Sequence, residues 1–144
     1  MLPMESIVNA LGGRKILKRR VASLDELRET VKDGLPYASF EALADKLGLG
    51  REEAAKALHL PRRTIARRKK QRKLHADESD RVLRLARVSA QAAETFGSEA
   101  KAAQWLRRPN RALGNVPPLE LLDTDIGIRQ VEDVLGRIDH GLIS

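Results

Sequence analysis

Apolar residues recur at three- and four-residue intervals along most of the chain, the spacing that gathers them on one face of an α-helix. Met4, Ile7, Val8 and Leu11 form the first such face, and Gly12-Gly13 ends it. Ser23 with Glu26 three residues on has the capping-box pattern, opening a second helix whose stripe of Leu24, Leu27 and Val31 runs to Asp33-Gly34. Phe40, Leu43, Ala44 and Leu47 share a third face, closed by Gly48. A short helix over about residues 51–58 follows, with Ala54, Ala55 and Leu58 inward. Pro61 stands where proline is best tolerated, at the opening of a helix that continues to about residue 72. Val82, Leu83, Leu85 and Ala86 mark a helix from about Glu78 to Val88, and two more are predicted over 91–97 and 98–108, the latter opened by Ser98. Gly114-Asn115 suits a turn, Pro117-Pro118 breaks the chain, and Leu119, Leu121 and Leu122 begin a short helical turn. A closing helix from about Gly127 to His140 sets Ile128, Val131, Leu135, Ile138 and Leu142 in three-four alternation, a seam for the chain's own helices or for a partner.

No segment sustains a period of two, so the pattern predicts an all-α fold. It divides into an N-terminal helical arm (1–36), a middle region (37–88) and a C-terminal region (89–144). The arm is too small for a core of its own, which makes it a candidate dimerisation arm or packing cap. The length of 144 residues excludes a large enzyme, and 42% apolar with only 3% aromatic residues means a core built from Leu, Ile, Val and Ala. The absence of cysteine removes disulfides, thiolate metal sites and thiol catalysis. The first residues lack the pattern of a signal peptide, and no apolar run approaches the roughly 18 residues of a membrane span. The expectation is a cytoplasmic protein with no membrane partner.

Charge changes the picture once it is placed along the chain. The net +7 is +1 over residues 1–60, +8 over 61–88 and −2 over 89–144. A basic excess this local points to an anionic partner for the middle region, nucleic acid foremost, and the acidic final third to a different partner. A solvated basic helix face is the plain alternative.

A helix-turn-helix needs a small residue in its first helix, a permissive turn residue and apolar anchors on its second. Ala55, His59, Leu60 and Ile65 meet this, with histidine where glycine is usual. Ala44, Gly48, Leu49 and Ala54 fit the same template, but their second helix would open REEAA and bring two glutamates against phosphates. The later frame opens PRRTIARRKK and is preferred on charge. It sets Arg62, Arg63 and Thr64 at the end of a recognition helix where side chains reach base edges, followed by Arg67, Arg68, Lys69 and Lys70. One arginine held bidentate on guanine discriminates by about 1–3 kcal/mol, whereas lysines neutralise phosphates. Specific binding by such a unit calls for a two-fold dimer on a palindrome.

The order of AAQWLRRPN (102–110), LGNVPPLELL (113–122) and VEDVLGRIDHG (131–141) resembles the toxin-binding domain of antitoxins of the Xre-RES class, which includes the ParS- and MbcA-like antitoxins. Over about residues 40–144 the resemblance implies an Xre/Cro-like helix-turn-helix bundle followed by a helical toxin-binding domain. It implies an antitoxin of a type II toxin-antitoxin system that neutralises a RES-domain, NAD-consuming toxin by blocking its active site with the C-terminal segment. It further implies a homodimer that binds operator DNA and represses its own operon. Trp105, Leu106, Pro109, Asn110, Leu113, Gly114, Pro117, Leu119 and Leu122 match the domain's structural motifs. Leu135, Gly136, Arg137, Ile138, His140, Gly141 and the adjacent Leu142 make up the end nearest the toxin. Gly136 and Gly141 permit close backbone approach there, and Arg137 can pair with a carboxylate or occupy ground normally held by the cofactor's charged groups.

The histidines at 59, 75 and 140 have no ligand spacing, Asp139-His140 points two ways from a helix, and no glycine-rich phosphate loop is present. The expectation is therefore a non-enzymatic protein with no metal, cofactor or small-molecule substrate of its own. Two readings compete with an antitoxin: a stand-alone helix-turn-helix regulator with a C-terminal sensing domain, and an adaptor using basic helices for a protein partner.

Overall fold

Caps and left-handed residues set the ends of the helices. In a computed structural model that describes residues 2–141, the elements are α1 (Met4–Ala10), α2 (Gly13–Leu17), α3 (Leu24–Asp33), α4 (Tyr37–Lys46), α5 (Arg51–Ala57), α6 (Arg62–Gln71), α7 (Ala76–Phe96), α8 (Glu99–Arg107) and α9 (Asp125–Asp139). Two 3-10 turns, Arg111–Leu113 and Pro118–Leu121, lie between α8 and α9. Ser23 Oγ accepts from the Glu26 N–H at 3.1 Å while the Glu26 carboxylate accepts from the Ala22 N–H at 3.0 Å. Ser98 and Thr124 cap α8 and α9 through their hydroxyls alone, accepting from the Lys101 and Gly127 N–H groups at 3.2 and 3.0 Å. Each such cap is worth about 1 kcal/mol.

The helix α7 is the axis of the fold: α1, α3, α8 and α9 all pack on it. Val82, Leu85, Ala86, Val88 and Ala92 are its buried face, met by Ile128, Val131, Val134 and Leu135 of α9 and by Leu106 of α8. The alternation on α9 thus serves self-packing for Ile128, Val131 and Leu135; Leu142 lies outside the described residues. Ile7, Ala10, Leu11, Leu17, Leu27 and Leu35 belong to the same continuous core, so the arm is a packing cap on the rest of the chain. It is also stitched to the end of α6. The Leu74 N–H donates to the Leu35 carbonyl at 2.8 Å, the Tyr37 N–H to the Arg72 carbonyl at 3.1 Å, and the buried Ser79 hydroxyl accepts from the Leu35 N–H at 2.8 Å.

Two element boundaries differ from the pattern-based expectation. The basic residues RKILKRR at 14–20, between the two expected helices of the arm, contain a short helix, α2, so the arm has three helices. The segments read as separate helices over 78–88 and 91–97 are one helix, α7, running straight through residue 88. Nothing between Val88 and Gln91 breaks a helix, and Ser89 and Ala90 are buried in it. The change of charge near residue 88 belongs to the surface.

Candidate nucleic-acid and partner interfaces

The two competing helix-turn-helix frames are both real corners. Gly48 (φ +66°) and His59 (φ +53°) adopt the left-handed conformation between α4 and α5 and between α5 and α6. Each corner closes with the same long-range turn bond, Leu49 N–H to Ala44 carbonyl at 2.9 Å and Leu60 N–H to Ala55 carbonyl at 2.8 Å. Ala44, Leu49 and Ala54 are buried, as are Ala55, Leu60 and Ile65. Sterics therefore do not choose between the frames, and the surfaces do. Around α5, Arg51 is held by Glu41 and Asp45, while Glu52 reaches across to pair with Arg62.

On α6 the inward side is Ile65 and Arg68, so the opposite side of the helix is the stripe of Arg63, Arg67 and Lys70. These three are exposed, and no carboxylate pairs with them among the described residues. Lys69 flanks the stripe on one side, Thr64 is half-buried on the other, and Arg62 is exposed but engaged with Glu52.

Arg68, expected among the DNA contacts, is instead buried. It is 5% exposed and turned into the protein, where its guanidinium holds Glu78 of α7 through Nε at 2.6 Å and Nη2 at 2.9 Å. The same guanidinium donates to Gln71 Oε1 at 3.3 Å and to His75 Nδ1 at 3.1 Å. Helical position explains this, since Arg68 lies three residues beyond Ile65 on the inward side. Its part is to fix the end of α6 against α7. Burial works to raise the Glu78 pKa, but the hydrogen bonds from Arg68 and from the His75 N–H outweigh it, and the net shift is downward. A lowered carboxylate contributes stability above its ordinary value near 4.5 and loses it as pH falls toward the lowered value. Arg68→Ala strands a buried carboxylate and is expected to cost about 3 kcal/mol in urea unfolding at neutral pH. The cost should shrink as pH falls from 4.5 toward the lowered Glu78 value and the carboxylate takes up its proton.

In the C-terminal region Leu106, Leu113 and Leu122 are buried, and Trp105 packs on Phe96 with ring centroids 5.6 Å apart, bracing the α7–α8 corner. Asn110 caps the first 3-10 turn through Ala112 N–H at 2.9 Å, and Gly114 (φ +71°) completes the bend. Pro117 precedes the second 3-10 turn, Leu119 packs on the core, and Pro109 is exposed. Of the residues expected to face a partner, Leu135 is instead fully buried against α7, because it lies four residues beyond Val131 on the packing face. Ile138 is half-buried on the same side. Arg137, His140 and Gly141 are exposed. His140 donates from Nδ1 to the Gly136 carbonyl at 2.7 Å, closing α9 and turning Nε2 outward. Gly136 is in the helix interior, yet a Cβ built on it meets nothing within 4 Å. Gly127 is the contrast, since a Cβ there would collide with the Leu121 carbonyl.

Comparison with known proteins matches residues 91–141 to the antitoxin Xre/MbcA/ParS C-terminal toxin-binding domain and residues 26–87 to the antitoxin Xre-like helix-turn-helix domain. The Antitoxin Xre of Photorhabdus laumondii subsp. laumondii is 36% identical over 120 residues, covering 82% of this chain and 81% of its own. The Antitoxin Xre of Yersinia enterocolitica is 30% identical over the same length with the same coverage. The chain belongs to the Xre/MbcA/ParS antitoxins. A further relative, from a Sphingobium species, is called a Prs ADP-ribosylating antitoxin and is 31% identical over 121 residues, 77% of this chain and 76% of its own.

The helix-turn-helix match begins at residue 26, so α3 of the antitoxin's arm belongs to that unit. The two matched regions touch through residues the sequence pattern did not single out. Arg107 of α8 donates to the Gly48 carbonyl at 3.0 Å across the two regions, and within the helix-turn-helix region Arg81 of α7 donates to the His59 carbonyl at 3.3 Å, so each corner is held by an arginine from another helix. His59 Nε2 stands 3.2 Å from Asp123 across a cleft of about 840 Å³ between α5 and the loop before α9. Isolated arginines carry no spacing signal, which is why these went unmarked. Among the described residues no helix is long and apolar enough to cross a membrane.

Proposed function

We propose that this antitoxin binds the operator of its own operon as a homodimer through α6 and neutralises a RES-domain, NAD-consuming toxin with the C-terminal end of α9. The reading head is the Arg63, Arg67, Lys70 stripe, with Arg62, Thr64 and Lys69 beside it. Arginines reach base edges there and lysines neutralise phosphates. The blocking end is Gly136, Arg137, His140 and Gly141, with Leu142 following, while Leu135 and Ile138 hold that end on the fold. The antitoxin acts in the cytoplasm, where both operator and NAD are found, and it performs no chemistry itself.

The observation that carries this reading is Gly136. Glycine in a helix interior costs about 1 kcal/mol relative to alanine, and packing within the chain gives no return because the space around it is open. A bare backbone on an outward helix face suits close approach by a partner's surface. The antitoxin is therefore expected to co-purify with the toxin encoded beside it and to preserve cellular NAD when the two are expressed together. Toxin expressed with the antitoxin and still depleting NAD would favour a regulator whose C-terminal domain senses something else.

A further inference from the structure

A second basic surface is left unused by that reading. Residues 14–20, RKILKRR, carry five positive charges in seven positions. Arg19 is neutralised by Asp33 at 3.2 Å, but Arg14, Lys15, Lys18 and Arg20 are exposed and have no carboxylate partner among the described residues. The segment is built into the fold. Leu17 and Val21 are buried, α2 packs on α1 and α4, and left-handed residues at Gly12 (φ +102°) and Lys18 (φ +57°) bound it.

Its position gives it a use. Asp33, the partner of Arg19, is followed by Gly34, and the stem of Lys73 lies over Gly34, since a Cβ there would come within 3.0 Å of Lys73 Cε. Lys73 and Arg72 follow directly on α6. Arg72 and Lys73 thus extend the positive charge of α6 beyond its C-terminal turn to the Asp33–Gly34 corner, where the segment after α2 is tied down through Arg19. A recognition helix lies in the major groove, and basic residues flanking it fall on the phosphates bordering that groove.

We propose that Arg14, Lys15, Lys18 and Arg20 form a second DNA contact, to backbone phosphates flanking the bases read by α6. This rests on the reading of α6 as the DNA-binding helix. Phosphate contacts carry no sequence information, so the segment adds affinity and salt dependence without adding specificity. Because the arm is already ordered by its core contacts, little entropy is lost when it docks.

The test is the triple variant Arg14→Gln/Lys15→Gln/Arg20→Gln, which leaves the Arg19 ion pair and the left-handed Lys18 in place. Binding is titrated at several salt concentrations on a duplex from upstream of the antitoxin's reading frame and on an unrelated duplex of equal length. Each lost phosphate contact removes about 0.9 from the slope of log K against log salt, so the slope should fall by about 2 to 3 on both duplexes. The ratio of the two affinities should stay the same, and Arg14→Lys/Lys15→Arg/Arg20→Lys should keep the wild-type slope. An unchanged slope in the Gln variant overturns the proposal while wild-type DNA binding stands, as does a loss confined to toxin binding, which would assign the patch to a protein. A wild-type chain that binds neither duplex in a salt-dependent way removes the reading of α6 and this inference with it.

Discussion

Replacing Arg63 and Arg67 together with alanine should abolish the antitoxin's preference for its operator while leaving it folded and able to bind toxin. Both side chains lie on the α6 stripe directly opposite Ile65 and Arg68, and neither is paired with a carboxylate among the described residues. An arginine that reads guanine bidentately contributes about 1–3 kcal/mol of discrimination, so each loss is worth about 5- to 150-fold. The pair together should bring operator affinity close to that for unrelated DNA, measured at a single stated salt concentration. Thermal unfolding should change little, because exposed substitutions away from packed features fall within about 0.5 kcal/mol. Arg68→Ala is the internal contrast, lowering stability first and DNA binding through it. Equal loss of operator and unrelated DNA binding in the double variant would make these arginines phosphate contacts instead of base readers.

Much of this arrangement is legible in the one-dimensional pattern because it is governed by local rules. The capping box at Ser23 and Glu26, the left-handed corners at Gly48 and His59, and the apolar stripe of α9 are all set by residues a few positions apart. What escaped depends on distant partners. The five residues of α2 are too few to hold a helix alone and are fixed by Leu17 in a core assembled from the whole chain. The fate of Arg68 depends on Glu78 arriving from the next helix, although its three-residue offset from Ile65 was a usable sign. Leu135 likewise shares the offset of Val131, and its place in the core follows from that periodicity. The equivalence of the two corners is instructive in the opposite way. Steric templates find both, and only the charges presented by the following helix separate them.

Neutralisation is proposed to reside in the open end of α9, apart from the basic stripe of α6. Deleting residues 136–144 should abolish protection against the toxin while operator binding persists. Because that deletion also removes the half-buried Ile138, Gly136→Gln is the sharper variant. Nothing within 4 Å obstructs a Cβ at this position, and exchanging a helix-interior glycine for a good helix former should raise stability by about 0.5–1 kcal/mol. In a tightly packed interface the same side chain is an overpacking substitution costing about 1–3 kcal/mol, or about 5- to 150-fold in toxin affinity. The most direct measurement is therefore titration of the toxin with wild-type antitoxin and with Gly136→Gln, alongside their thermal unfolding. Gly136→Gln should be more stable, bind operator normally and bind toxin more weakly. Wild-type toxin affinity in that more stable chain, with protection retained by the 136–144 deletion, would contradict a neutralising role for the end of α9.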